Sequence, residues 1–296
     1  MGNLSSVMAH CWTRGQEVMV GDQSHIFVYE QGGISQLGGV HVSTLTTRED
    51  GTFDLEQVVN KIRSPDPSCH EPQTALICLE NSHNRCGGRV LPLLFIQKIC
   101  ALAHNRGIKV HMDGARIVNA SVQSGIPVNE IVKECDSVSI CLSKGIGAPV
   151  GSIVAGSSEF ISRVMRCRKV LGGGMRQAGV LAAAGLVALA TARERIQKDH
   201  LRAQKLAQDI YNLNSDLITI NPDAVETNML LLNFPSSRFT SQQFVDRMAL
   251  VKEEDPEQVL VKASTWFGNR VRFVLHSDLS EDDVASAFRK IQSIAV

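Results

Sequence analysis

The apolar positions of this chain fall into short runs separated by amphipathic segments, and that alternation sets the expected fold. From residue 73 onward, TALICLEN (74–81) reads as a buried strand, LPLLFIQKICALAHNRG (91–107) as an amphipathic helix closed by glycine, and IKVHMDGAR (108–116) as the next strand. VNEIVKEC (128–135) reads as a short helix, and DSVSICLSKG (136–145) and VGSIVAG (150–156) as two further strands. Strands separated by helices in this way predict a mostly parallel or mixed sheet with helices on both faces, an α/β architecture. Two helices follow at 158–169 and 175–213, the second with a break expected near Thr191. The character then shifts: LITI, NMLLLNF, VLVKAS and VRFVLH read as short strands, mixed with helices at SQQFVDRMALV and EDDVASAFRKIQSI. The pattern predicts a large domain over 1–213 and a small C-terminal α+β domain over 214–296.

Composition narrows the partners. The 296 residues carry 30 Lys+Arg against 30 Asp+Glu, so no single-sign field draws the chain to nucleic acid or to an anionic membrane, and neither is expected as a partner. The apolar stretch AGVLAAAGLVALATA (178–192) is shorter than the roughly 18–20 residues of a membrane span, and its small residues predict a buried core helix. The 8 cysteines form no CxxC pair and no apolar leader precedes them, which predicts reduced thiols in the cytoplasm or an organelle matrix. The opening MGNLSS fits the short M-G-x-x-x-[ST] pattern for N-myristoylation of Gly2.

Candidate chemistry gathers at two strand ends. In VHMDGAR, Asp113 closes an apolar strand, where open α/β sheets bind ligands; the same carboxylate could equally cap a turn. In SICLSKGIGAPVGS, Lys144 follows an apolar strand in a glycine-rich turn, about one βαβ unit downstream, so both side chains should emerge on one rim of the sheet. A lone lysine there is ordinarily solvated. Facing an aspartate, it points to Schiff-base chemistry, and an aldehyde cofactor with a ring nitrogen needs both groups: the amine for the carbonyl carbon, the carboxylate to keep the ring protonated. Pyridoxal 5'-phosphate is the obvious candidate, and no metal site is expected. His25 (DQSHIFVYEQGG) and His83 (ENSHNRCGG) sit in polar turns where an imidazole can stack on a ring, move a proton, or serve structure alone. LGGGMRQAG sets Arg176 at a glycine-rich helix entry suited to an anion.

HMDGAR, ICLSKGIGAPVGS, RKVLGGGMRQAG, ENSHNRCGGRVLP and VRFVLHSDLS together resemble L-threonine aldolase, a pyridoxal-phosphate enzyme of the aspartate-aminotransferase-like fold type I. The resemblance implies a lyase that cleaves L-threonine or L-allo-threonine to glycine and acetaldehyde by retro-aldol chemistry. It implies Lys144 as the amine that condenses with the cofactor aldehyde, Asp113 as partner of the ring nitrogen, Arg116 beside the cofactor and His25 stacked on the ring. It further implies His83 near the substrate hydroxyl, Arg272 on the substrate carboxylate, and Lys169 and Arg176 near the site. The partners it implies are a small β-hydroxy amino acid and further copies of the chain, in a homo-oligomer with shared active sites.

The resemblance begins at Met1. In the family a Ser/Thr-Gly-Thr turn, which holds the cofactor phosphate, comes just before the segment that reads MGNLSSVMAH here. The family's N-terminal section, with a serine that helps bind the substrate carboxylate, is also absent. Gly2 is then expected at a helix N-terminus beside the phosphate. Leu4, Val7 and Met8 are expected to face the core, which argues against an exposed acyl anchor, and weak cofactor binding is expected. Two alternatives stay open: a shortened, inactive partner of a full-length subunit, and another fold type I enzyme such as an aminotransferase or a β-eliminating lyase. His83 and Arg272 in their sequence contexts favour aldol cleavage.

Overall fold

The protein is described by a computed structural model over residues 1–65, 68, 70–235 and 239–295, so Cys69 lies outside the described residues. The seven other cysteines are free thiols. Among the described residues no helix is long and apolar enough to cross a membrane. The chain divides into two compact units, Met1–Cys86 with Val90–Ala192, and Gly87–Arg89 with Arg193–Val296.

The large unit is built on six strands, β1 (Gln16–Gly21), β2 (His41–Leu45), β3 (Gln73–Glu80), β4 (Lys109–Asp113), β5 (Ser137–Cys141) and β6 (Ser152–Gly156), in the order β2-β1-β3-β4-β5-β6. The first four pairings are parallel and β5–β6 is antiparallel. Side chains alternate along a strand, and both faces of this sheet are buried. On one face Met19, Ile77, Leu79, Val110 and Met112 pack against Val58 of α4 (Leu55–Lys61), Ile96 and Ile99 of α5 (Leu93–His104), Ile117 of α6 (Ile117–Ser124) and Ile131 of α7 (Val128–Ile131). On the other, Val18, Val20, Leu76 and Cys78 pack against Val7 of α1 (Gly2–His10), Ile26 of α2 (His25–Val28) and Ile34 of α3 (Gly33–Gln36). His111 and Asp113 alternate with Val110 and Met112 along β4, so the α1 side of the sheet carries the polar side chains. Helix α8 (Ser158–Val170), capped by the Ser157 hydroxyl, packs Phe160 and Val164 against Ala9.

The small unit has its own antiparallel sheet, ordered β7-β9-β8 from β7 (Met229–Asn233), β8 (Ser264–Trp266) and β9 (Arg270–Val274). Its core joins Phe244 of α10 (Ser241–Met248), Leu230, Phe273 and Val271 of the sheet, Ile291 of α11 (Glu281–Ala295), and Ala203 and Ala207 from the end of α9 (Gly179–Tyr211). A Thr240–Gln243 capping box starts α10.

Several sequence expectations are corrected. The helix expected over 175–213 runs unbroken as α9; neither Thr191 nor the isolated Gly185 removes a backbone donor, so the i→i−4 ladder continues through both. The stretch 178–192 is not a core helix in this chain: only Gly185, Ala188 and Ala192 are buried there, while Val180, Leu186 and Val187 are 70–76% exposed. Those three small residues form one narrow stripe at helical spacing, and the larger apolar residues point away from it. VNEIVKEC yields a single turn, α7. LITI contributes one isolated bridge, Thr219 to Asn233. VLVKAS is strand only from Ser264, because the Val259 carbonyl accepts from the buried Lys290 ammonium and the Val261 N–H donates to Met248. In α1, Val7 is fully buried with Ser5, Ser6 and Ala9, whereas Leu4 and Met8 are half-buried. Strands β1 and β2 lie upstream of the region where the pattern was legible.

Because Ile77 is fully buried at the centre of the sheet, Ile77→Ala is expected to destabilise the large unit by about 2–5 kcal/mol. Val59→Ala, at an exposed α4 position, should stay within about 0.5 kcal/mol. Chemical denaturation of both variants checks the pair.

Candidate active site

The carboxyl ends of three parallel strands form one row. Glu80 on β3 is in register with Asp113 on β4, and Asp113 with Ser139 on β5. Neighbours in register on parallel strands point to the same face, so two carboxylates sit side by side. Asp113 is 2% exposed. Its Oδ1 accepts from the Ala115 N–H at 3.0 Å, and its Oδ2 accepts from the Asn3 side-chain amide at 2.9 Å. The first bond is the turn-capping role open to an aspartate before glycine; the second is a long-range contact with α1. Gly114 is required next to it, since a Cβ there would lie 2.9 Å from Val138 Cγ2 and 3.1 Å from the Ser139 carbonyl.

A cavity of about 340 Å³ opens beside this carboxylate, a volume within the range of small-molecule sites. Among its lining residues are Gly2, Asn3, His25, Glu30, Asp113 and Lys144. The structure therefore brings Gly2, His25, Asp113 and Lys144 to the wall of one cavity. Lys144 emerges from the turn beyond β5, which is closed by Gly147 N–H to the Lys144 carbonyl at 2.7 Å, and its ammonium donates to Cys141 Sγ at 3.1 Å. His25 starts α2, with its backbone N–H on Glu80 Oε2 at 2.6 Å and its Nδ1 3.0 Å from Glu30 Oε1. Glu80 also accepts from the Asn84 N–H at 2.9 Å. Gly2 starts α1 so close to β5 that a Cβ would lie 2.5 Å from Ser139 Oγ, and it lines the cavity.

Electrostatics follow from this crowding. Burial, then the charges of Glu80 and Glu30, push the Asp113 carboxyl up to about 7. The hydrogen bond it donates to Glu30 raises the His25 imidazole above its ordinary value. Burial pushes the Glu30 carboxyl up, but the hydrogen bonds from His25 and Asn3 outweigh it and hold the group below the ordinary value. Asp113 is thus a buried acid short of a cation, facing an amine and an imidazole. One ligand atom each from His25, Glu30 and Asp113 lie within 4.8 Å of one another. The Asn3 amide donates to both carboxylates.

The other sequence candidates are not among that cavity's lining residues. Arg116 occupies the N-cap position of α6 without a side-chain cap bond and directly follows the wall residue Ala115. His83 is buried in the loop after β3, against Gly51, and its Nδ1 has no hydrogen-bond partner among the described residues. Lys169 lies near the end of α8 with Gly174 folded over its side chain, and Arg176 is exposed ahead of α9. Arg272 is on β9 of the small unit, its guanidinium stacked 4.0 Å over Trp266. Sequence reasoning missed Asn3, Glu30 and Glu80. One signal was present for Asn3: Asn3, Val7 and His10 recur at i, i+4 and i+7, so two polar residues share the helix face that buries Val7.

The chain is similar to known proteins over nearly its whole length. Residues 1–234 match the model of the beta-eliminating lyase family. It is 47% identical over 294 residues to a probable low-specificity L-threonine aldolase 2 of Arabidopsis thaliana, covering 98% of this chain and 80% of that one. It is 38% identical to the low specificity L-threonine aldolase of Escherichia coli K12, covering 96% and 78%. Among solved structures, a putative L-allo-threonine aldolase from Listeria monocytogenes superposes with a TM-score of 0.78 at 19% identity, over 99% of this chain and 80% of the other. At that identity the likeness speaks for the fold.

The raised Asp113 carboxyl has a measurable consequence. Its folded-state value of about 7 exceeds the ordinary 3.8, so its contribution to stability is intact at low pH and is lost as pH rises towards 7. Asp113→Asn without cofactor should match the wild type near pH 4 and become the more stable of the two above pH 7. The gap should grow by up to about 1.4 kcal/mol per pH unit between those values. Thermal melts from pH 4 to 8 check it; a gap independent of pH would contradict the assignment.

Proposed function

The chain belongs to the beta-eliminating lyase family, two relatives at 47% and 38% identity are named a probable and a low-specificity L-threonine aldolase, and from that premise we propose that it is a pyridoxal-phosphate-dependent aldehyde-lyase. Its substrate is L-threonine or L-allo-threonine and its products are glycine and acetaldehyde. Its fold is that of fold type I enzymes, a mostly parallel sheet between helices with a second, antiparallel sheet. One observation carries the reading: an amine, Lys144, and a buried carboxylate in want of a cation, Asp113, share one cavity at the carboxyl edge of a parallel sheet.

The donor set fits pyridoxal 5'-phosphate. Lys144 would hold its aldehyde carbon, Asp113 its ring nitrogen, His25 its ring face, and Gly2 at the start of α1 its phosphate, with Arg116 beside the site. Bound there, the cofactor supplies an electron sink for the pair released when the Cα–Cβ bond breaks. The chain's part is positioning and proton transfer. Arg272 would grip the amino-acid carboxylate as a bidentate partner and so orient the bonds at Cα. His83 takes the β-hydroxyl proton, directly or through a water, as the aldehyde leaves, and a proton delivered to Cα completes glycine. The unpartnered Nδ1 of the buried His83 supports that role. Lys169 and Arg176 are assigned a lesser part near the substrate.

The proposal extends to assembly and place. The large unit carries Lys144 and Asp113, the cofactor's proposed partners, and the small unit carries Arg272. The exposed Val180, Leu186 and Val187 of α9 support a homo-oligomer, since an apolar stripe of that kind is ordinarily covered. The enzyme works in the cytoplasm, linking threonine breakdown to glycine supply.

The test is to incubate the chain with pyridoxal 5'-phosphate and either substrate and to measure glycine and acetaldehyde, which should form in equal amounts. His83→Asn should lower turnover by about 10²- to 10⁴-fold. Borohydride reduction of the loaded chain followed by peptide mapping should place the label on Lys144. A label on Lys133 or Lys169 would refute the lysine assignment, and formation of a keto acid instead of acetaldehyde would refute the reaction.

A further inference from the structure

Behind Asp113 buried and half-buried polar side chains form one continuous chain of contacts. His10 Nε2 lies 2.7 Å from Ser137 Oγ, and Ser137 Oγ lies 2.8 Å from His111 Nδ1. His111 Nε2 lies 3.3 Å from Asn3 Oδ1, and Asn3 Nδ2 lies 2.9 Å from Asp113 Oδ2 and 2.8 Å from Glu30 Oε1. His111 is fully buried on β4, and His10 stacks on Phe160 with ring centroids 4.4 Å apart.

Only one arrangement of protons satisfies every contact. The Glu30 carboxyl, held below its ordinary value, is ionised and can only accept, so the amide must turn its NH₂ towards Glu30 and with it towards Asp113; the flipped amide would set an oxygen against the Glu30 carboxylate. That orientation leaves Oδ1 for His111, whose Nε2 must carry the proton. A neutral imidazole with hydrogen on Nε2 accepts at Nδ1, so Ser137 donates its hydroxyl there, and the Ser137 oxygen in turn accepts from His10 Nε2–H. Each ring carries one proton. Burial keeps both in that form, pushing the imidazoles of His111 down to about 3 and His10 down to about 4.

We propose that Asn3 is a positioning residue that clamps Asp113 and Glu30 together through its amide donors, and that the His10–Ser137–His111 chain fixes its orientation. The proposal rests on the reading of Asp113 as the partner of the cofactor's ring nitrogen. It gives the first turn of α1 a second task besides standing at the cavity wall. With one oxygen tied to the Ala115 N–H and the other to Asn3, the Asp113 carboxylate cannot rotate away from the cavity. The donors also offset the repulsion between neighbouring acids. The groups that face Asp113 are Glu80 from β3, Glu30 and His25 from α2 and the loop after it, Lys144 from the turn after β5, and Asn3 from α1. Asn3 is a neutral donor among them and favours the ionised carboxylate at any pH.

Two measurements on the 296-residue chain without cofactor test this, so their failure is separable from failure of the proposed function, which borohydride labelling reads. First, long-range 1H–15N correlation spectra of the wild-type chain should show His111 neutral and protonated on Nε2 from pH 5 to 8. A proton on Nδ1, or a charged His111 at pH 6, would reverse the chain and overturn the proposal. Second, the Asp113 side-chain carbon, assigned through Asp113→Asn, should titrate in folded Asn3→Leu at least one pH unit higher than in the wild type, a tenfold rise in proton affinity. An unchanged midpoint would overturn it. If Asn3→Leu does not fold, the wild-type tautomer alone decides.

Discussion

A buried carboxylate that must be able to ionise is the constraint around which the large unit's cavity is organised. Asp113 ends β4 with almost no exposure, beside Glu80 in the next strand and close to Glu30. Left alone, such a group stays protonated. The neighbouring elements answer that cost in different ways. The Ala115 N–H and the Asn3 amide give it donors, the backbone N–H groups of His25 and Asn84 occupy Glu80, and His25 compensates Glu30. The shortfall left over is a positive charge at the cavity, which a protonated pyridine ring would supply. The same environment that makes Asp113 costly in the free chain is what would make it a strong partner for the cofactor.

The sheet delivers this arrangement through its alternation. Along β4, Val110 and Met112 go to the apolar face under α5 and α6, while His111 and Asp113 go to the α1 face, and Ser137 and Ser139 of β5 are in register with them. Helix α1 lies against that polar row and combines Val7 in the apolar core with Asn3 and His10 in hydrogen bonds. The cavity and the hydrophobic packing therefore depend on the same helix, so a change on α1 is felt in both.

The parts legible from sequence were those written locally. A strand ending in Asp113, and a lysine in a glycine turn one crossover later, set both groups on one rim because strand polarity decides where side chains emerge. Glu30, Glu80 and Asn3 were not legible because their roles exist only as contacts across the sequence: Asn3 meets Asp113 110 positions away. Strands β1 and β2 escaped because QEVMVG is buried almost throughout and HVSTL is short; neither shows a decisive period. The 178–192 stretch was misread for the opposite reason. Its apolar content is strong, but composition cannot tell burial within a chain from burial against another surface, and here its larger apolar residues stand exposed. VLVKAS had strand propensity, yet the Lys290 ammonium drew the Val259 carbonyl away from any ladder.

The central claim is that Asp113 holds a protonated ring nitrogen. The most direct measurement is the 15N chemical shift of ring-labelled pyridoxal 5'-phosphate bound to the chain, taken from pH 6 to 8.5 for the wild type and for Asp113→Asn. The account predicts a protonated ring nitrogen across that range in the wild type and an unprotonated one in the variant. An unprotonated nitrogen in the wild type, or the same shift in both proteins, would contradict it.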